Sequence, residues 1–160
     1  MTLREAMDRL DDRCSALEAL VQKRQAKEDQ NPEVIVPRVL IVEDAPVYRQ
    51  AFKEHLHAHF PSLAIDEARS AEEALQKISK TSPPDFMFID IRLPEADGLQ
   101  PTQKIKKDFP RIRIAMLTGY DFPEYRRAAS QYGADRYFVK DSLEWKEIEE
   151  FVQSIPDNNQ

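Results

Sequence analysis

Asp90 closes a wholly apolar run, Phe86-Met87-Phe88-Ile89, and opens a loop marked by Pro94 and by Asp97-Gly98. Such a run is what a strand buried on both faces of a parallel sheet looks like. In open α/β sheets, ligands gather at the carboxyl ends of the strands. Three further strand-like runs end in polar side chains. Val39-Leu40-Ile41-Val42 ends in the acid pair Glu43-Asp44, Ile112 to Leu117 ends in Thr118-Gly119, and Arg136-Tyr137-Phe138-Val139 ends in Lys140. If these strands are parallel, Glu43, Asp44, Asp90, Thr118 and Lys140 meet at one edge. Carboxylates crowded together repel, and a cation relieves them. A hard divalent ion taking a few carboxylates and waters is Mg2+. With a lysine as point charge and a hydroxyl as donor, the group is suited to holding a phosphoryl. The chemistry implied is attack by Asp90 on phosphorus to give an aspartyl phosphate. A lone Asp after a strand is more often a helix cap or loop acid. The company it keeps sets Asp90 apart.

The elements that would position these groups follow from the pattern between them. From Arg38 the chain alternates strand and helix. After the first strand, Val47, Tyr48, Ala51, Phe52, Leu56 and Phe60 form a broad apolar stripe on a helix. Leu63-Ala64-Ile65 reads as a short second strand, and Ser70-Ala71-Glu72-Glu73 as a capping box opening a helix that buries Ala74, Leu75 and Ile78. Pro83-Pro84 stops that helix before the strand that ends at Asp90. Further helices are predicted from Gly98 to about Asp108 and from Pro123 to Gln131, with a turn at Gly133. A last one opens from an Asp141/Glu144 capping box and buries Leu143, Ile148, Phe151 and Val152. Five strands alternating with five helices imply a doubly wound parallel sheet with right-handed crossovers and helices on both faces.

Ahead of this lies a different kind of segment. Residues 1–30 contain no Gly or Pro, and Leu3, Met7, Leu10, Cys14, Leu17 and Val21 alternate spacings of 4 and 3. Leu3, Leu10 and Leu17 fall at heptad position d, and Met7, Cys14 and Val21 at a. The spacing predicts either a parallel dimerisation helix or an amphipathic helix folded back on its own domain. Asp29-Gln30-Asn31-Pro32 ends it, a linker covers 31–37, the α/β domain 38–155 and a tail 156–160.

Bulk properties narrow the function. The 160 residues carry a net charge of -6, which argues against sequence-neutral nucleic-acid binding. The single cysteine, Cys14, excludes an internal disulfide. No stretch approaches the roughly 18 apolar residues of a membrane span, and the N-terminus is polar, so a soluble cytoplasmic protein without membrane contact is expected. Dinucleotide and P-loop chemistry is excluded by the lack of a glycine-rich loop.

The segment from about Arg38 to Ile155 resembles the receiver domain of two-component response regulators, a flavodoxin-like phosphoacceptor family. Val39-Leu40-Ile41-Val42-Glu43-Asp44, Ile89-Asp90-Ile91-Arg92-Leu93-Pro94 with Asp97-Gly98, Leu117-Thr118-Gly119 and Tyr137-Phe138-Val139-Lys140 carry the likeness. The resemblance implies sheet order 2-1-3-4-5, with Asp90 as phosphoacceptor. It implies Mg2+ on Glu43 (through water), Asp44, Asp90 and the backbone carbonyl of Arg92, and Lys140 on a phosphoryl oxygen. Thr118 and Tyr137 would form the switch, with Gly119 and Tyr120 flanking it. It also implies a sensor histidine kinase or phosphotransfer protein as donor, a downstream protein target, and no enzyme activity beyond the domain's own phosphorylation and dephosphorylation. The sequence departs from the usual pattern at Asp141, where many receivers have proline after the lysine.

With the chain closing at Gln160, a single-domain regulator without a DNA-binding output domain is expected, acting by protein contact and as a homodimer through residues 1–30. A phosphorylation-independent scaffold on the same fold is the alternative, but its usual mark, a missing acid, Thr or Lys, is absent here. An aspartate-nucleophile phosphatase would need a second acid two residues after Asp90, where Arg92 stands. The large Arg92 and Tyr120 are expected to shield an acyl phosphate from water. His55, His57 and His59 read as a solvated helix face, and Trp145 as a half-buried face of the last helix.

Overall fold

A computed structural model describes residues 2–27, 36–80, 83–93 and 97–154. The expected end of the first helix, most of the linker, Pro94 and the tail lie outside the described residues, as do the side chains of Leu10 and Val21. The chain divides into two compact units, Met1–Pro37 and Arg38–Gln160.

Among its described residues the first unit forms one helix, α1 (Leu3–Lys27). A capping box that the sequence reading overlooked starts it. The Glu5 N–H donates to Thr2 Oγ1 at 3.2 Å, and the Thr2 N–H donates to Glu5 Oε2 at 2.8 Å, pairing two groups that a helix start leaves without partners. Leu3 and Met7 are 79% and 60% exposed, and Cys14 is exposed as well.

The second unit is built on β1 (Arg38–Val42), β2 (Ala64–Ala68), β3 (Phe86–Ile89), β4 (Arg113–Thr118) and β5 (Arg136–Val139). All pair in parallel, in the order β2-β1-β3-β4-β5. The helices are α2 (Pro46–His59), α3 (Ala71–Lys80), α4 (Leu99–Asp108), α5 (Pro123–Gln131) and α6 (Trp145–Gln153). This is the doubly wound, flavodoxin-like sheet expected from the sequence.

Strand alternation sorts the core into two layers. Leu40, Val42, Met87, Ile89, Ile114 and Met116 pack with Ala74, Ile78, Ile105 and Ala129 from α3, α4 and α5. On the other face the phenylalanines take over. Phe88 meets Phe52 of α2 edge-on at 5.0 Å and Phe151 of α6 at 5.6 Å. The central strand β3 is buried at every position, which is why its sequence is a plain apolar run.

Several boundaries differ from the expected ones. β2 runs on to Ala68 instead of stopping at Ile65, because an edge strand needs only one apolar side. Its charged residues are matched by helix cations: Glu67 by Arg49 and Lys53 of α2, and Asp66 by Lys77 of α3. β4 begins and ends one residue later than expected, so Thr118 is its last member. The Asp141/Glu144 capping box does not form. Residues Lys140–Ser142 make a 3-10 turn, and α6 starts at Trp145 without a side-chain cap. The Ser70 box does form in part: Ser70 Oγ accepts the Glu73 N–H at 3.1 Å, while the Glu73 carboxylate takes the N–H of Arg69. Among the described residues no helix is long and apolar enough to cross a membrane.

The loop after β3 is pinned at Gly98. Its N–H donates to Ile91 O at 2.7 Å, and Asp97 Oδ1 accepts the N–H groups of Leu99 and Gln100 at the start of α4. A Cβ at position 98 would lie 2.3 Å from the carbonyl oxygen of Asp90 and 2.9 Å from Ile89 Cγ2. Gly98→Ala must therefore push backbone against backbone, and a loss of about 1–3 kcal/mol is expected. Urea unfolding read by circular dichroism checks this, with Gly119→Ala as control, since a Cβ there meets nothing within 4 Å.

Candidate functional site

The ends of β1, β3, β4 and β5 converge on one edge of the sheet. The N–H of Asp90 donates to Val42 O at 3.0 Å and that of Glu43 to Ala68 O at 3.0 Å, so the acids are held by continuations of the strand ladder. Glu43, Asp90 and Thr118 are buried, whereas Asp44 is exposed. One oxygen each from Glu43, Asp44 and Asp90 lie within 4.8 Å of one another. Lys140, at the end of β5, places Nζ 2.8 Å from Glu43 Oε2 and 3.0 Å from Asp90 Oδ2. The other Asp90 oxygen, Oδ1, accepts the Arg92 N–H at 3.0 Å.

One ammonium does not neutralise three carboxylates. Burial, reinforced by Asp90 alongside, raises the Glu43 carboxyl to about 7 against the opposing pull of Lys140. Burial alone would lower the Lys140 ammonium, but its hydrogen bond to Glu43 and the charge of Asp90 outweigh it and hold it above the usual lysine value. The excess negative charge, the oxygen-only donor set and the exposure of Asp44 suit a hard divalent cation that keeps some of its water.

Thr118 and Tyr137 meet through Tyr120. Thr118 Oγ1 accepts the Tyr120 N–H at 3.3 Å, and the Tyr137 hydroxyl donates to the Tyr120 carbonyl. The guanidinium of Arg92 lies 4.1 Å from the Tyr120 ring centroid, and that of Arg126 4.8 Å from the Tyr137 ring. Tyr137 is half-buried, and burial raises its hydroxyl above the usual tyrosine value despite Arg126 nearby. Gly119 leaves the space beside Thr118 open. All nine residues singled out from the sequence (Glu43, Asp44, Asp90, Arg92, Thr118, Gly119, Tyr120, Tyr137 and Lys140) thus stand at or beside this edge.

Two neighbours escaped the sequence reading. Arg49 donates to the Glu43 carbonyl at 2.8 Å and to Glu67 at 3.3 Å, bracing the acid pair from α2. Tyr48, read as one more apolar residue in a stripe, lays its ring 4.3 Å from Lys140 Nζ. Both sit on the first turn and a half of a helix that follows the acids at once, which is the only signal the sequence offered. The histidines are less isolated than expected: His59 stacks on Trp145 at 4.4 Å, and His55 lies 5.8 Å from the same ring.

Comparison with known proteins gives a consistent result. The family model for the response regulator receiver domain matches residues 39–153. An uncharacterized transcriptional regulatory protein of Bacillus subtilis, YhcZ, is 32% identical over 117 residues, 73% of this chain and 52% of that protein. The response regulator VraR of Staphylococcus saprophyticus is 31% identical over 64% of this chain and 49% of its own length. The chain thus spans about half the length of the curated relatives it matches. Among solved structures, the response regulator TrrA of Thermotoga maritima, in complex with Mg2+ and BeF, aligns with a TM-score of 0.65 and 34% identity. That alignment covers 75% of this chain and 99% of TrrA.

The raised Glu43 carboxyl has a measurable consequence. Between about 4.5 and 7 the folded protein keeps a proton that the unfolded chain releases. Folding stability without metal therefore falls as pH rises through that window, and the fall is complete above it. Denaturant midpoints in chelator, taken across the window, should show this slope in the wild type. Glu43→Gln should flatten it.

Proposed function

Because the chain belongs to the response regulator receiver family, we propose that it accepts a phosphoryl group on Asp90 and that the modification switches its protein contacts. The observation that supports this reading best is the double contact of Lys140 with Glu43 and Asp90 inside the acid cluster. The donor would be a phosphohistidine on a sensor histidine kinase or phosphotransfer protein. An oxygen of Asp90 attacks phosphorus, the P–N bond breaks, and the imidazole leaves and takes up a proton. The lysine ammonium then pairs with a phosphoryl oxygen in place of the Asp90 carboxylate. Glu43 through water, Asp44, Asp90 and the Arg92 carbonyl would hold Mg2+, whose charge offsets that of the carboxylates and the phosphoryl oxygens. TrrA is a relative crystallised with Mg2+ and BeF. This is a phosphoacceptor and not an enzyme acting on other molecules.

Thr118 would give up the Tyr120 N–H to bond the phosphoryl group. That exchange loosens the residue whose carbonyl holds Tyr137, and so reaches the surface of α5, β5 and α6. Arg92, stacked on Tyr120, would cover the acyl phosphate against water. The downstream target would be a protein, reached in the cytoplasm. The receiver's net negative charge disfavours contact with nucleic acid by this domain. Of the seam, Leu17 is buried while Leu3, Met7 and Cys14 are exposed, and this exposed part supports parallel self-association through residues 1–30.

The test is phosphorylation by acetyl phosphate with Mg2+, followed by intact mass. The wild type should gain one phosphoryl group, and Asp90→Asn should gain none. A wild type that stays unmodified with both acetyl phosphate and a panel of histidine kinases would sink the reading and favour the scaffold. Cutting Arg92 and Tyr120 to Ala together should shorten the phosphoryl half-life several-fold. Light scattering with and without beryllofluoride should show a dimer whose mass changes only when Asp90 is intact. A monomer throughout would remove the helix pairing.

A further inference from the structure

Lys140 has three N–H donors, and two point at carboxylates: Glu43 Oε2 at 2.8 Å and Asp90 Oδ2 at 3.0 Å. Its Nζ also lies 4.3 Å from the centroid of the Tyr48 ring, within the range in which a ring face attracts a cation. The ring that does this is itself fixed. Tyr48 stacks on Phe52 with centroids 6.2 Å apart and planes 11° from parallel. Phe52 is buried, set edge-on against Phe88 at 5.0 Å and stacked on Trp145 at 5.8 Å. The neighbouring Val47 is 83% exposed, so α2 turns the aromatic inward and leaves its aliphatic neighbour in water. A single exposed valine is ordinary; what distinguishes this turn of α2 is a ring face set against the ammonium. The arrangement makes sense if the ring acts on the lysine.

We infer that Tyr48 is a positioning residue for Lys140, its ring face holding the ammonium on the phosphoacceptor side of the site and shielding its third N–H from water. The inference rests on the phosphoacceptor reading of Asp90. The ring's role there is specific. A flexible lysine side chain loses rotamer freedom when it is fixed. A ring that fixes it before the phosphoryl arrives lowers the cost of pairing with it. Since the attraction comes from the ring face, phenylalanine should serve as well as tyrosine, and an aliphatic side chain of similar size should not.

The affinity for beryllofluoride with Mg2+, measured by calorimetry on the full chain, tests this. Tyr48→Phe should bind as the wild type does. Tyr48→Leu should bind about threefold to thirtyfold more weakly, as expected for loss of a partly buried cation–ring contact. In a Lys140→Met background the Leu substitution should have no further effect, which a mere packing role would not predict. A Tyr48→Leu protein that binds as tightly as the wild type, or an equal loss with and without Lys140, overturns the inference while leaving the phosphoacceptor reading intact. A wild type that does not bind beryllofluoride at all overturns both. Should Tyr48→Leu fail to fold, the wild type still decides. Proton NMR should place the Lys140 ε-methylene upfield by the ring current of Tyr48, and an ordinary shift there refutes the contact.

Discussion

The arrangement depends on an imbalance of charge. Lys140 bridges Glu43 and Asp90, yet with Asp44 nearby the edge holds more negative charge than a single ammonium can offset. A fold that buries Glu43 and Asp90 this way gives up stability. It does so at the one place where a parallel sheet delivers its strand ends together. Two responses to the imbalance are visible: Glu43 is driven toward its protonated form, and Lys140 is drawn more firmly into its charged one. A site in this condition favours whatever adds positive charge to it or redistributes the negative.

The same edge sets how a change at Asp90 can travel. Tyr120 is the junction: its N–H is taken by Thr118, its carbonyl by Tyr137 and its ring by Arg92. Thr118 is fully buried, so its hydroxyl cannot exchange this partner for bulk water. Its O–H remains available as a donor to an acceptor placed within the site. Thr118 and Tyr137 lie on adjacent strands, with Thr118 paired to Val139, so the junction is spanned by rigid sheet on one side and by a short loop on the other.

Much of this is legible in the sequence because continuous apolar runs and strand-end chemistry are local signals. The apolar run before Asp90 announces a central strand, and the polar residue after each run announces the edge. What stayed hidden depends on contacts between distant segments. The apolar pattern ends β2 too early because its outer residues, Asp66 and Glu67, are matched by cations from α2 and α3, and no local pattern records that pairing. The capping box proposed at Asp141 looked right by spacing. A 3-10 turn after Lys140 displaced it and moved the helix start to Trp145. Thr2 and Glu5 had the spacing and formed the box, so the motif is informative only where the chain is free to take it up. Tyr48 was counted as core because tyrosine in an apolar stripe usually is. Its relation to Lys140 spans 92 residues of chain and depends on how α2 packs on the sheet.

That long-range pairing gives the lysine two environments. On one side are the carboxylates, which a new group on Asp90 would replace. On the other is a run of stacked rings, Tyr48 to Phe52 to Trp145 to His59, leading from the site to the start of α6. Trp145 follows Lys140 by five residues, so the turn that carries the lysine leads into the helix that carries Trp145 of the ring stack. The lysine is thereby tied to α6 by two sets of contacts, the backbone of the 3-10 turn and the stacked rings. Packed cores resist continuous deformation. Both sets of contacts end on one helix start, so the positions of Lys140 and Trp145 are fixed by the same packing.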